Sequence, residues 1–144
     1  MKKSQRMQIL VDLAKRKEDT AAQQLARDKA KVMHDEQKLN ELREYAEQYE
    51  SERNLLGFSA YLTTNYQHFV TRVQQAIVQQ EAAVGRAEQQ ADMSMRRWLQ
   101  ARSKTKSMDW LKDKNHKAEV LLETKQEQRQ SDEFAMRRFL DSMR

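Results

Sequence analysis

The chain has 144 residues, 34% charged and 38% hydrophobic, with 27 basic against 22 acidic side chains and a mean hydropathy of -1.05. That polarity is too high for a globular core, and no stretch approaches the roughly 20 apolar residues of a membrane span. Proline and cysteine are absent and glycine occurs only as Gly57 and Gly85, which excludes disulfide and thiol chemistry and leaves a chain that reads as helix almost throughout.

The first six residues, Met1 to Arg6, are basic like the start of a signal peptide. The next apolar run, Ile9-Leu10-Val11, is far shorter than the 7–15 residues such a peptide needs, so a soluble, cytoplasmic protein is expected. A first helix is expected over 4–56, about 80 Å long at 1.5 Å per residue. Its apolar seam runs through Met7, Leu10, Ala14, Ala21, Leu25, Val32, Leu39, Leu42, Ala46 and Tyr49, with Lys17, Asp28 and Asp35 filling seam slots. Gly57 can adopt positive φ and Ser59 can cap a second helix, which places a turn at 57–59. That second helix is expected over 59–143, roughly 125 Å. Its stripe runs through Leu62, Tyr66, Phe69, Val73, Ala76, Gln80, Val84, Ala87, Ala91, Met95 and Trp98, then more loosely through Met108, Leu111, Ala118, Leu122, Met136, Phe139 and Met143.

Two striped arms and a tight turn predict an all-α fold, one antiparallel coiled-coil hairpin over 1–144. A turn centred on Gly57 pairs residue i with residue 114 minus i, so Met7 meets Ser107 and about 30 residues beyond Trp110 form a C-terminal helical overhang. That overhang carries Leu121, Leu122, Phe134, Met136, Phe139 and Leu140. Alone it is marginal, because helices are held mainly by packing their apolar face. It either orders on a partner or pairs in a dimer that buries the same stripe.

The positive excess belongs to the last third. Residues 96–144 carry 13 basic and 8 acidic groups, against 12 and 11 in residues 1–54. It begins with Arg96, Arg97, Arg102, Lys104 and Lys106, a stretch free of carboxylates. This suggests an acidic partner surface, with a solvated face or nucleic acid as the alternatives. No helix-turn-helix spacing, zinc ligand set or basic zipper supports specific nucleic-acid reading. Catalysis lacks its parts too. There is no phosphate-cradling glycine loop, His34, His68 and His116 show no metal-ligand spacing, and carboxylates such as Glu41, Glu44, Glu47 and Glu50 lie on open helical faces. A non-enzyme is expected, without catalytic residues, cofactor or metal.

Aromatic residues cluster near the turn, with Tyr45, Tyr49, Phe58, Tyr61, Tyr66 and Phe69 within 25 residues. They either close the end of the coil or expose a protein-binding patch. The segment Asn65-Tyr66-Gln67-His68-Phe69, with Ala76, Ile77 and Gln80 after it and Leu42, Tyr45 and Tyr49 before it, resembles the signature of the flagellar export FliJ family. Trp98, Leu121-Leu122 and Asp132-Glu133-Phe134-Ala135 extend the resemblance over nearly the whole chain.

The resemblance implies a coiled coil like the central stalk of rotary ATPases. Such a coil enters the pore of the hexameric flagellar export ATPase, helps that ring assemble, contacts the cytosolic domain of the export-gate protein and works with free export chaperones. It also implies a location in the cytoplasm, at the inner face of the membrane through the export apparatus. By position, the gate-binding surface is Leu42, Tyr45, Tyr49, Phe69, Val73 and Ala76, with Lys38 and Gln80 at its rim. The ring-binding set expected from charge is Arg96, Arg97, Arg102, Lys104, Arg137 and Arg138. The rivals are a virulence-type secretion stalk of the same architecture and a basic nucleic-acid-binding coiled coil.

Overall fold

The structure is a computed structural model that describes residues 2–56 and 60–144, the side chains of 55, 56 and 60–63 excepted. The turn expected at 57–59, with Phe58, and the side chains of Tyr61 and Leu62 lie outside the described residues. Two helices account for the rest. They are α1, Lys3–Leu56, of 54 residues, and α2, Ala60–Ser142, of 83. Gly85 sits inside α2 without breaking it, and a Cβ added there would meet nothing within 4 Å.

Two compact units are built from these helices, Met1–Glu18 with Gln100–Arg144 and Asp19–Leu99. In the first, Lys2 pairs with Glu123 and Ser4 with Glu119, so the start of α1 runs antiparallel to the end of α2. α1 has no acidic residue in its first turn to offset its dipole. Glu119 supplies one from the neighbouring helix, accepting from the Ser4 amide at 3.1 Å and the Ser4 hydroxyl at 2.6 Å. The Lys2 amide donates to Gln5 Oε1 at 3.2 Å, a reach-back typical of a capped N-terminus.

The second unit also pairs antiparallel segments, joining Tyr49 to Tyr66 and Asp28 to Ser94. Leu25, Leu39, Val73 and Ala87 are its buried apolar residues. Polar layers interrupt them. Asp28 accepts from Ser94 Oγ, the most deeply buried side chain, and Gln80 Nε2 donates to the Asp35 carbonyl at 2.9 Å. The Ser94 hydroxyl holds the Asp28 carboxyl below the usual carboxylate range, with smaller help from the Gln24 and Gln90 amides. Both aspartates thus take the seam positions expected of them. Gln80 also lies in the seam, where the stripe of the second helix placed it.

The seam itself departs from the sequence reading on both helices. Along α1 it runs through positions 4, 7, 11, 14, 18, 21, 25 and 28, in unbroken steps of three and four. Val11 is therefore buried and Leu10 is 45% exposed; Glu18 takes the slot expected for Lys17. Along α2, Ser94 takes the seam slot expected for Met95, and beyond Trp98 the seam continues through Ala101, Thr105, Met108, Lys112, Asn115 and Glu119. Leu111, Ala118 and Leu122 face water instead.

The pairing register also differs at the chain termini. The 114-minus-i rule gives Ser4 residue 110 as its partner, and the structure gives Glu119, nine residues further on. Near the turn the rule holds, since Tyr45 meets Phe69, but Asp28 meets Ser94 rather than residue 86, so the offset opens along the arms and is not an error in the centre. Contacts from α1 consequently reach Glu123. The overhang begins near Thr124 rather than Trp110, and every residue from 121 onward is exposed.

Candidate functional site

No helix is long and apolar enough to cross a membrane, and no group of three or more metal-ligating side chains exists, among the described residues. The candidate sites are therefore surfaces. In the Asp19–Leu99 unit, heptad spacing on α1 puts Leu42, Ala46 and Tyr49 on its inner face, and spacing on α2 does the same for Tyr66, Phe69 and Val73. Tyr49 lies at the centre. It stacks on Tyr66 with ring centroids 5.5 Å apart and planes 7° apart, and it meets Phe69 at 3.9 Å. Tyr45 approaches Phe69 edge-on at 5.7 Å and 65°, the arrangement ring quadrupoles favour. The Arg53 guanidinium lies 3.8 Å over the Tyr66 ring.

These rings leave a groove of about 200 Å³ with Ala46, Val70 and Val73 in its walls and Glu50 and Gln74 at its edges. Of the six residues expected to form one surface, Tyr45, Tyr49 and Phe69 are in direct ring contact. Val73 is buried beneath them, Leu42 and Ala76 do not join the ring cluster, and Tyr45 is more than half exposed, at 52%. Tyr66 and Arg53 were not among the expected site residues. Tyr66 was legible as the i−3 neighbour of Phe69, and Arg53 as the i+4 neighbour of Tyr49.

The six basic residues expected to act together are all exposed but do not form one patch. Arg96 and Arg97 flank the inward-facing Trp98 in the Asp19–Leu99 unit. In the other unit, Arg102 and Lys104 stand more than 30 positions before Arg137 and Arg138 on α2, roughly 50 Å along the helix. Arg138 lies 5.4 Å over the Phe134 ring and Lys114 lies 5.2 Å over Trp110. Charge is segregated between the units. Met1–Glu18 with Gln100–Arg144 carries 17 basic and 10 acidic residues, and Asp19–Leu99 carries 10 and 12.

The terminal unit also exposes more large apolar side chains. Ile9, Leu10 and Leu13 stand out on α1, and Trp110, Leu121, Leu122, Phe134, Met136, Phe139, Leu140 and Met143 on α2.

Comparison with known proteins places the chain among relatives. A family model described as flagellar FliJ protein matches residues 2–144. The chain is similar to the flagellar FliJ protein of Salmonella typhi, with 28% identity over 134 residues covering 91% of each chain. It is likewise similar to the flagellar FliJ protein of Escherichia coli K12, with 26% identity over 131 residues and 89% of each chain covered.

Proposed function

The chain belongs to the flagellar FliJ family, and on that premise we propose that this component of flagellar protein export is a non-enzymatic coiled-coil stalk for the export ATPase. The match over residues 2–144 carries the proposal. The stalk enters the hexameric ATPase ring, promotes its assembly and links it to the cytosolic domain of the export gate and to free export chaperones. It works in the cytoplasm, held at the inner face of the membrane by the apparatus.

The physical mechanism needs no catalytic group. A rod that binds only the assembled ring stabilises that ring by mass action, by RT ln(1 + [L]/Kd), and so raises hydrolysis. Arg102, Lys104, Arg137 and Arg138 offer cations at successive heights along α2, suited to acidic loops at different depths of a pore, and Arg96 and Arg97 add two more. The exposed apolar residues of the terminal unit supply the area that packs against the ring. A two-helix rod cannot present the same face to six subunits, so its contacts are unequal and favour hydrolysis in turn rather than in unison.

The aromatic groove serves the gate. Tyr45 is exposed enough to be buried by a partner, Phe69 meets it edge-on with Tyr49 against Phe69 in turn, and Leu42, Val73 and Ala76 extend the surface along the two helices. Titrating the chain into its cognate export ATPase, with hydrolysis and ring formation by sedimentation monitored together, tests the stalk. Stimulation with a hexamer-sized species is expected. Unchanged hydrolysis and unchanged sedimentation would remove the ring from the proposal.

A further inference from the structure

Beyond Glu119 the outer residues of α2 change phase. Ala118, Leu122, Lys125, Arg129, Asp132, Met136, Phe139 and Met143 succeed one another in steps of four and three, and at 100° per residue they fall in a sector about 100° wide. This is a coiled-coil stripe with a polar centre and apolar ends. Nothing among the described residues covers it from Leu122 onward. Leu122, Met136, Phe139 and Met143 are 59%, 59%, 60% and 70% exposed. Phe134 lies on the other side of the helix under Arg138 and is not part of the stripe.

The order of residues in the stripe is self-complementary. Laid antiparallel against a copy of itself about a point between Gln130 and Ser131, Leu122 meets Phe139 of the second copy and Lys125 lays its aliphatic stem against Met136. Ala118 meets Met143, and at the centre Arg129 meets Asp132, twice, once on each side of the two-fold axis. Every layer pairs the two kinds of seam position that antiparallel coils alternate. A parallel pairing would instead set Lys125, Arg129 and Asp132 each against its own copy, three like-charge layers. The self-complementarity is that of an isologous two-fold interface.

We infer that the C-terminal helix, residues 118–143, is a self-association surface through which two copies of this chain pair antiparallel, with reciprocal Arg129–Asp132 contacts fixing direction and register. Arg137 and Arg138 lie outside the sector and stay available in the dimer. One helix pair of this length buries less than a standard interface, so association in the micromolar range is expected. The dimer covers apolar residues that the proposed ring contact would use, and so forms a reserve state of the free chain. Its test involves no ATPase.

Sedimentation equilibrium of the full chain should show a monomer–dimer equilibrium. Arg129→Glu and Asp132→Lys should each weaken it about tenfold or more, since each turns two attractions into two repulsions. The double variant Arg129→Glu/Asp132→Lys restores the pairing with signs exchanged and should return to within about threefold of the original. All the side chains exchanged here are exposed, and helical circular dichroism checks that each variant is folded. The chain has no cysteine, so Leu122→Cys mixed with Phe139→Cys and oxidised with copper phenanthroline should give a cross-linked heterodimer in excess over either variant alone. A chain that stays monomeric up to about 100 µM overturns the inference. So does a double variant as weak as the single ones, or equal cross-linking of each variant with itself.

Discussion

Replacing Tyr45 and Tyr49 separately distinguishes a ring held for a partner from a ring held for the fold. Burying a large apolar side chain fully is worth about 1.5–3 kcal/mol. Tyr45 is 52% exposed and makes an edge contact to Phe69; half of that burial plus a weak ring contact gives about 1–1.5 kcal/mol for Tyr45→Ala. Tyr49 stacks on Tyr66 and lies 3.9 Å from Phe69, so Tyr49→Ala opens a void between two rings and should cost about 3 kcal/mol. Urea unfolding monitored by helical circular dichroism gives both values. Calorimetric titration with the cytosolic domain of the export gate gives the binding side, where Tyr45→Ala should weaken affinity about 30-fold, the effect of a ring anchored in a partner's pocket. Equal destabilisation by the two variants would refute the assignment of roles. Native affinity in Tyr45→Ala would show that the gate does not use the exposed Tyr45 face of the ring cluster.

Other expectations test the seam, the backbone, the carboxylates and the overhang. Val11→Ala should cost about 1–2 kcal/mol and Leu10→Ala no more than about 0.5 by denaturant unfolding; the reverse ranking would restore the seam read from hydrophobicity. Gly85→Ala should raise stability by about 0.5–1 kcal/mol, because the added methyl meets no atom within 4 Å and removes freedom from the unfolded chain. A loss of stability there would mean that α2 needs its glycine. The Ser4 hydroxyl and then the Ser4 amide hold the Glu119 carboxyl below its ordinary value, as Ser94 does for Asp28. Both groups therefore contribute fully above the ordinary carboxylate pKa of about 4, and that contribution is lost as pH falls through it toward the depressed values. Ser4→Ala combined with Ser94→Ala should flatten that acid limb, and an unchanged limb would assign it to other carboxylates. At concentrations low enough to keep the chain monomeric, ending it after Thr124 should leave the thermal midpoint unchanged, whereas ending it after Leu111 removes Glu119 and Glu123 and should lower it. Equal midpoints would place no value on the α1 cap.

The two long helices were legible because nothing in the composition could interrupt them. The seam was legible only where it is apolar. From Leu25 to Tyr49 the apolar residues carry most of the steps of three and four themselves. At Leu10 a larger side chain lies beside the correct slot, and only continuing the downstream phase backward selects Val11. Beyond Trp98 the seam includes Thr105, Lys112, Asn115 and Glu119, residues that no hydropathy pattern would choose, while Leu111 and Leu122 drew the reading outward. The ring cluster was found through spacing and resemblance, but the stacking of Tyr66 and Arg53 on it depends on side-chain direction across two helices. That information is not local to either one.

Sequence separation ranks the contacts by how late they can form. Tyr49 and Tyr66 are 17 residues apart, Asp28 and Ser94 are 66 apart, and Ser4 and Glu119 are 115 apart. Closing longer loops costs more entropy and slows folding, so pairing should nucleate at the rings and zip toward the termini. On a ribosome adding roughly 5–20 residues per second, the N-terminus of α1 waits several seconds or more for the glutamate that caps it. During that interval the seam residues Val11 and Ala14, buried in the finished fold, face water beside Ile9, Leu10 and Leu13, so the burial of this stretch of α1 waits longest for its partner.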